Sequence, residues 1–329
     1  VGPLAWACSD DATLAPDDPI APERPLGPSG LPFSYAFVRA SGTSAYADLD
    51  SAVEGTSDRD LEVGWGVAIV GQHEAGGKVW ARTSKGLWID GADLAPARPS
   101  PFHGQALETG TLDLAWVRAD RGAVWAAPPV PGKPFHDRPV SYRARFEVVR
   151  PREQVGAMLH LDDGTWMLSS DLARPSLAAP PAEVGDRPEP WIDVELASQT
   201  LVAYRGTRPV YATLVSTGRP GAETRTGVHR IWVKLTTSDM ASGGSGGGGD
   251  DEPHYSLEEV PFVQFFDDAT ALHGAYWHGD FGHARSHGCV NLAPLDAAWL
   301  FDFTGPRLPA GWVAVYPAAP QDGAVVRVR

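Results

Sequence analysis

The stretch LHGAYWHGDFGHARSHGCVNL, Leu272 to Leu292, gathers four of the ten histidines and one of the two cysteines. Three readings fit such residues: a metal site, a nucleophilic thiol with an imidazole base, or packed core. A zinc site would draw on His273, His278, His283, His287 and Cys289. The histidine spacings of five, five and four lack the close cysteine pair of structural zinc sites. Gly274, Gly279, Gly282 and Gly288 break the helix that a catalytic pair of histidines at i and i+4 would need. No metal and no cofactor is expected. A thiol attacks as thiolate, so it needs a base or a positive field close by. Gly288 precedes Cys289 and lets the backbone turn sharply, so the amides of His287, Gly288 and Cys289 can converge as an oxyanion hole. His273, 16 residues upstream, is the candidate base if the loop between folds back; His278, at a separation of 11, competes for that role.

These residues carry a resemblance. His273, Gly274, Gly282, Ser286, His287, Gly288, Cys289 and Asn291 are similar to the signature of the L,D-transpeptidase catalytic domain of YkuD type. The upstream runs TLVAYRG, LVSTG and TRTGVHRIWV resemble that family's early strands. The resemblance covers residues 188–318, some 40% of the chain. It implies a β-sandwich-like catalytic domain acting on peptidoglycan tetrapeptide stems. In that family's chemistry Cys289 would be the nucleophile, and the bond attacked would follow the L-centre of diaminopimelate. D-Ala would leave, a thioester would form, and an amine of a second stem would resolve it as a cross-link. His273 would be base and then acid, oriented by the Gly274 carbonyl. Gly288 would supply an oxyanion amide, His287 would shape the site, and Ser286 belongs to the same motif. Tyr276, Trp277 and Phe281 would line the cleft. Arg285 and Asn291 would hold substrate carboxylates or scaffold the loop, and His283 would be a solvated loop residue. Three alternatives stay open: an L,D-carboxypeptidase in which water resolves the thioester, attachment of a protein Lys to the wall, and a non-catalytic wall-binding protein.

The elements that must position this site are mostly strands. In WIDVELASQTLVAYRGTRPVYATLVSTG, Ile192, Val194 and Leu196 fall on one face, and Leu201 and Ala203 follow. Arg205-Gly206 supplies a turn before the next strand. Residues 226–235 read as one strand and 311–317 as the last strand of a domain spanning 188–318. Residues 294–303 read as the one persuasive helix, opened by Pro294. The Gly-rich run 241–254 interrupts the domain as a natural low-complexity surface loop, with a lid role as the alternative.

Upstream lies an internal repeat. Tyr35–Gly42 echoes Leu114–Gly122, and Lys85–Ser100 echoes Asp163–Ser176. Phe37 to Trp88 spans 51 positions and Trp116 to Trp166 spans 50, which points to two duplicated units, 31–100 and 110–177. Residues 64–71 and 140–149 alternate as strands. Each unit is expected to be a small β-barrel and resembles bacterial Src-homology-3-like modules, with its tryptophans as core or as a ligand groove. Such modules would serve as wall-binding or spacer units. A Pro-rich linker, 178–190, separates them from the catalytic part. The fold class is therefore mainly β: two small β-barrel-like repeats, then a β-rich catalytic domain with a short helix after the nucleophile.

Residues 1–30 read as an acidic, Pro-rich tether. The run VGPLAWAC resembles the end of a bacterial lipoprotein signal, with Cys8 as the lipid-bearing residue. A Cys8–Cys289 disulfide is the alternative use of the two thiols. No run of about 20 apolar residues is present, so a membrane would be reached only through a lipid on Cys8. A net charge of −14 argues against a nucleic-acid partner. A wall substrate implies an extracytoplasmic location, in the periplasm or cell envelope. The sequence specifies no oligomeric state.

Overall fold

The computed structural model describes residues 26–128, 138–185, 189–241 and 255–329. Cys8, the tether before residue 26, residues 186–188 of the linker and the Gly-rich run 242–254 lie outside the described residues.

The first unit holds β1 (Ser34–Val38), β2 (Thr43–Tyr46), α1 (Leu49–Glu54), β3 (Arg59–Leu61), β4 (Gly66–Ala75), β5 (Lys78–Thr83), β6 (Trp88–Asp90) and β7 (Leu94–Pro96). A short connecting strand, β8 (Gln105–Ala106), follows. The second unit holds β9 (Ala115–Val117), β10 (Arg121–Val124), β11 (Ser141–Ala144), β12 (Val148–Val149), β13 (Pro151–Val155), β14 (Met158–Leu161), β15 (Trp166–Leu168) and β16 (Leu172–Ala173). Both units run through one pairing diagram. β1 pairs with β4 and β7, as β9 pairs with β12 and β16. β2 pairs with β3 as β10 pairs with β11. Phe37 lies opposite Ala95, and Trp116 opposite Ala173. Among the described residues no pairing closes either unit into a complete barrel.

The repeated Val-Arg-Ala has a physical reason. The Arg39 guanidinium donates to the Ala92 carbonyl and its backbone N–H to Asp93 O. Arg118 does the same to Ser170 O and Asp171 O. Each arginine thus closes a 3-10 turn before the unit's last strand. Trp80, Trp116, Trp125 and Trp166 are buried, as core. The run 140–149 is not one strand. It breaks at Arg145–Glu147, where Phe146 takes a φ of 69°.

The third part holds β17 (Pro190–Glu195), β18 (Thr200–Arg205), β19 (Arg208–Leu214), β20 (Gly227–Arg230), β21 (Val233–Ala241), β22 (Ser256–Asp267), β23 (Thr270–Gly274), β24 (Val290–Leu292), α2 (Pro294–Phe303), β25 (Ala314–Val315) and β26 (Val325–Val328). One sheet runs β20-β26-β17-β18-β19-β8. In the other, β25, β21, β22, β23 and β24 are successive neighbours. Ile192, Val194, Leu201 and Ala203 fill the core between the sheets and α2, with Leu272, Val290, Leu292 and Leu300. The opposite face of β17–β19 is also apolar: Trp191, Val202, Tyr204, Ala212 and Leu214 pack on Trp116, Phe102 and Leu114 of the upstream part. Both faces of this sheet are therefore buried.

Two expectations need correction. Residues 226–235 form two strands in different sheets. Ile231 donates to Ala324 O and Trp232 to Phe265 O, so the chain crosses between sheets there. The run 311–317 is not the last strand: β26 follows it and lies between β17 and β20. Its Arg327, and Arg329 just after it, both pair with Asp193, which is 1% exposed.

Helix α2 leaves β24 directly and is anchored at both ends. Near its N-terminus the buried Asp296 accepts from Gly104 N, Tyr211 OH and Thr213 Oγ1. At its C-terminus the buried Lys234 donates to the carbonyls of Phe301, Thr304 and Pro306 at 2.6, 2.7 and 3.0 Å. An acid at the N-terminus and a cation at the C-terminus complement the helix dipole. The helix thereby fixes the end of the strand that carries the motif.

Candidate active site

Strands β23 and β24 run parallel, with Leu272 opposite Val290 and His273 opposite Asn291. Cys289 enters β24 one residue earlier. Alternation puts Cys289, Asn291 and His273 on one face of this pair. His273 is 2% exposed, and its Nδ1 lies 3.3 Å from the Gly274 carbonyl. An N–H on Nδ1 donates to that oxygen, which leaves Nε2 with its lone pair, the tautomer of a base. The Trp277 ring stacks on the imidazole at 5.6 Å between centroids. Burial pushes His273 down to about 4, against the smaller effect of the Gly274 carbonyl.

Cys289 is a free, half-buried cysteine. Burial raises its thiol above the ordinary value, and the Ala271 N–H lowers it in part. Its Sγ lies 3.8 Å from the Ala269 carbonyl. No hydrogen bond among the described residues joins it to His273. Burial thus disfavours the charged form of both groups, which favours a neutral thiol and imidazole over an ion pair. Such a pair suits general-base catalysis, in which the proton moves as the sulfur attacks. Among the described residues no three His, Cys, Asp or Glu side chains gather to hold a metal ion.

The turn before Cys289 is over-determined. Gly288 has a φ of 124°, which an L side chain rarely adopts. Ser286 Oγ donates to the Cys289 carbonyl and accepts from the Gly288 N–H at 3.2 Å. The Gly288 N–H is thus engaged with the Ser286 hydroxyl in this structure. The segment 215–219 straps the turn from below. Ser216 exchanges both backbone bonds with Asn291, and Thr217 O accepts from the amides of Arg285 and Ser286. Thr224 Oγ1 accepts from Gly218 N and donates to Gly288 O at 2.7 Å. Gln199 holds Thr217 through both its amide atoms. The sequence reading passed over Gln199, Thr217 and Thr224; short polar side chains in a loop that satisfy backbone groups were the available signal.

Several expected substrate contacts are placed elsewhere. Tyr276 is fully buried, stacked on Tyr35 of the first unit at 3.9 Å, and donates to Glu258 O. Phe281 is fully buried against Phe102 and His278. Neither lines a cleft; only Trp277 of the three is half-buried beside His273. Arg285 is paired with Asp280, so its charge is already matched within its own loop. The His287 side chain is exposed and stacks on Tyr255 at 5.3 Å. His283 Nε2 lies 3.1 Å from the Arg118 carbonyl. His278 is not placed as a base. Its Nδ1 accepts from the Asp280 N–H, and its Nε2 meets the Asn291 amide.

The loop between His273 and Cys289 therefore lies against both upstream units. Arg145 of the second unit binds Asp280 Oδ1 at 3.1 Å and the Phe281 carbonyl at 3.3 Å. A free spacer arrangement would leave these groups exposed; instead they form part of the loop's support.

None of the curated proteins compared matches the chain. Solved structures similar to it include a cysteine-to-serine mutant of Enterococcus faecium L,D-transpeptidase, 20% identical over 43% of this chain and 50% of that one, with a TM-score of 0.33. An L,D-transpeptidase from Stackebrandtia nassauensis is 27% identical over 43% and 55%, with a TM-score of 0.29. Mycobacterium tuberculosis L,D-transpeptidase 1 is 21% identical over 43% and 61%, with a TM-score of 0.31. The chain spans about half the length of the first of these structures. Residues 189–321, which hold His273, Cys289 and the strands that carry them, match the family model described as the L,D-transpeptidase catalytic domain, YkuD.

Proposed function

We propose that the chain is a cysteine L,D-transpeptidase that cross-links peptidoglycan stem peptides through a thioester on Cys289. The observation that carries this reading is the pairing of β23 with β24. It sets a carbonyl-oriented, buried imidazole next to a half-buried thiol on one sheet face. In the proposed reaction Cys289 turns from the Ala269 carbonyl toward His273. The thiol proton passes to His273 Nε2 as sulfur attacks the carbonyl carbon of the L-centre. With the Gly288 amide engaged, the Cys289 amide takes the oxyanion role. The intermediate collapses with loss of D-Ala, whose amine takes the proton from His273. An amine of a second stem then attacks the thioester, His273 accepts its proton, and the thiol is restored. Trp277 holds the imidazole plane. A wall substrate places the protein outside the cytoplasm, with a lipid on Cys8 as its proposed anchor.

The test is mass spectrometry of products after incubation with purified disaccharide-tetrapeptide, beside Cys289→Ala. The expected product is a dimer lacking one D-Ala, absent with the variant. A shortened monomer would make the protein an L,D-carboxypeptidase. Unchanged substrate with both proteins would contradict the reading.

A further inference from the structure

The sheet face that carries Cys289 extends across β22 and β21. Leu272 stands opposite Val290 and Gln264, and Gln264 stands opposite Lys234. Leu272 and Val290 pack with Leu300 of α2, and Lys234 donates to the Phe301 carbonyl at the helix end. The chain neighbours of these residues therefore point to the other face, away from α2. There they form two rows across the strands. One is His273, Val263 and Leu235; the other is Cys289, Ala271, Phe265 and Val233. The first row is covered. Val263 is fully buried in one cluster with Tyr276 and with Tyr35 and Ala68 of the first unit, and Leu235 packs against that cluster. The second row is partly open, because Cys289 and Phe265 are only half-buried. Beside Phe265 stands Trp232, with 5.5 Å between the ring centroids. Its backbone N–H donates to Phe265 O at 2.9 Å, yet the residue is 45% exposed. A flat apolar surface thus leads away from the thiol on the side that the first unit leaves uncovered.

The length of this strip suits one part of the donor. Phe265 stands two strands from Cys289, about 10 Å across the sheet. In a tetrapeptide stem whose fourth residue leaves, three residues separate the attacked carbonyl from the sugar. Extended, they also span about 10 Å. We infer that Trp232 is a substrate-binding residue that stacks, with Phe265, on a sugar ring of the donor disaccharide. The face of a sugar ring is a plane of C–H groups, which an exposed indole matches in shape and polarity. This inference rests on the acyl-transfer reading of the same site.

The test compares two donors, the disaccharide-tetrapeptide and the same tetrapeptide without sugars. The wild type should show a KM about tenfold lower for the sugar-bearing donor, the order of one stacking contact. Trp232→Ala should erase that preference, with kcat and the KM of the bare tetrapeptide kept within about twofold, and Trp232→Phe should restore part of it. Val313→Ala is the control: Val313 is 72% exposed on β25's approach, and its loss should leave the preference intact. A wild type without preference for the sugar, or Trp232→Ala with the preference unchanged or with both KM values raised equally, would overturn the inference. Calorimetry of Cys289→Ala with the disaccharide-tetrapeptide reads binding without turnover. Affinity lost on adding Trp232→Ala would uphold the sugar contact even if the wild type proved inactive, which would overturn only the reaction. Affinity unchanged by Trp232→Ala would overturn the contact itself.

Discussion

His273→Gln is expected to lower kcat/KM for the proposed stem-peptide donor by about 10³-fold, within the range for loss of a general base. Gln keeps the size and a polar end but accepts no proton at neutral pH. Cys289 is left as a thiol held above its ordinary value by burial. The wild-type pH profile carries the same signature. Burial holds His273 near 4, so the acidic limb of kcat/KM should fall near that value and not near 6.5. The sign for stability follows. Between about 4 and 6.5 the unfolded chain binds protons at His273 and His278 that the folded chain refuses. This contribution is complete above 6.5 and is lost as pH falls toward 4. A kinetic limb at 6.5 in the wild type, or His273→Gln with near wild-type rates, would contradict the assignment of the base.

Gly218→Ala is expected to cost about 3 kcal/mol of stability and most of the activity. A Cβ at this position would lie 2.1 Å from the Ala222 carbonyl oxygen and 2.5 Å from Thr224 N. Both are backbone atoms, so no side chain can swing away. The loop must open instead, and opening it moves Thr224, whose hydroxyl donates to Gly288 O beneath the nucleophile. It also disturbs the bridge from Gly218 to Ser286. Denaturant unfolding reads the stability change, and the product assay reads the activity. Gly71→Ala is the control: a Cβ there meets nothing within 4 Å, and its effect should stay within about 0.5 kcal/mol. Equal behaviour of the two variants would refute the strap as the support of the turn.

The local parts of this architecture were legible in the sequence. Pro294 opens helix α2, and the apolar run through Leu300 and Phe301 carries it to Phe303. The alternation of Ile192, Val194, Leu201 and Ala203 named the residues that fill the core between the sheets. The spacing of the motif singled out His273 and Cys289, and the parallel pairing of their strands explains why residues 16 apart share one sheet face. What could not be read was set by distant partners. Tyr276 and Phe281 look like cleft aromatics in a Gly-rich loop. Their burial comes from Tyr35 and Phe102, far upstream, which no local periodicity reveals. The place of β26 beside β17 depends on a parallel pairing across more than 130 residues. The split at Ile231–Trp232 is a change of sheet inside an unbroken alternating run. The engaged Gly288 amide follows from the Ser286 rotamer, not from residue type.

The upstream units also read differently in three dimensions. Tyr35 stacks on Tyr276, Arg145 holds Asp280 and Phe281, and Arg118 meets His283. All of these contacts fall on the loop between His273 and Cys289. Surfaces from both repeats therefore contribute to the geometry of that loop.

The most direct measurement is the intact mass of the protein after brief incubation with disaccharide-tetrapeptide alone, followed by acid quench and peptide mapping. The predicted result is an adduct equal to the donor minus D-Ala, carried by the peptide containing Cys289 and absent from Cys289→Ala. An unmodified protein that nevertheless releases D-Ala through the Cys289→Ala variant at the wild-type rate, or an adduct on another residue, would contradict thioester catalysis by Cys289.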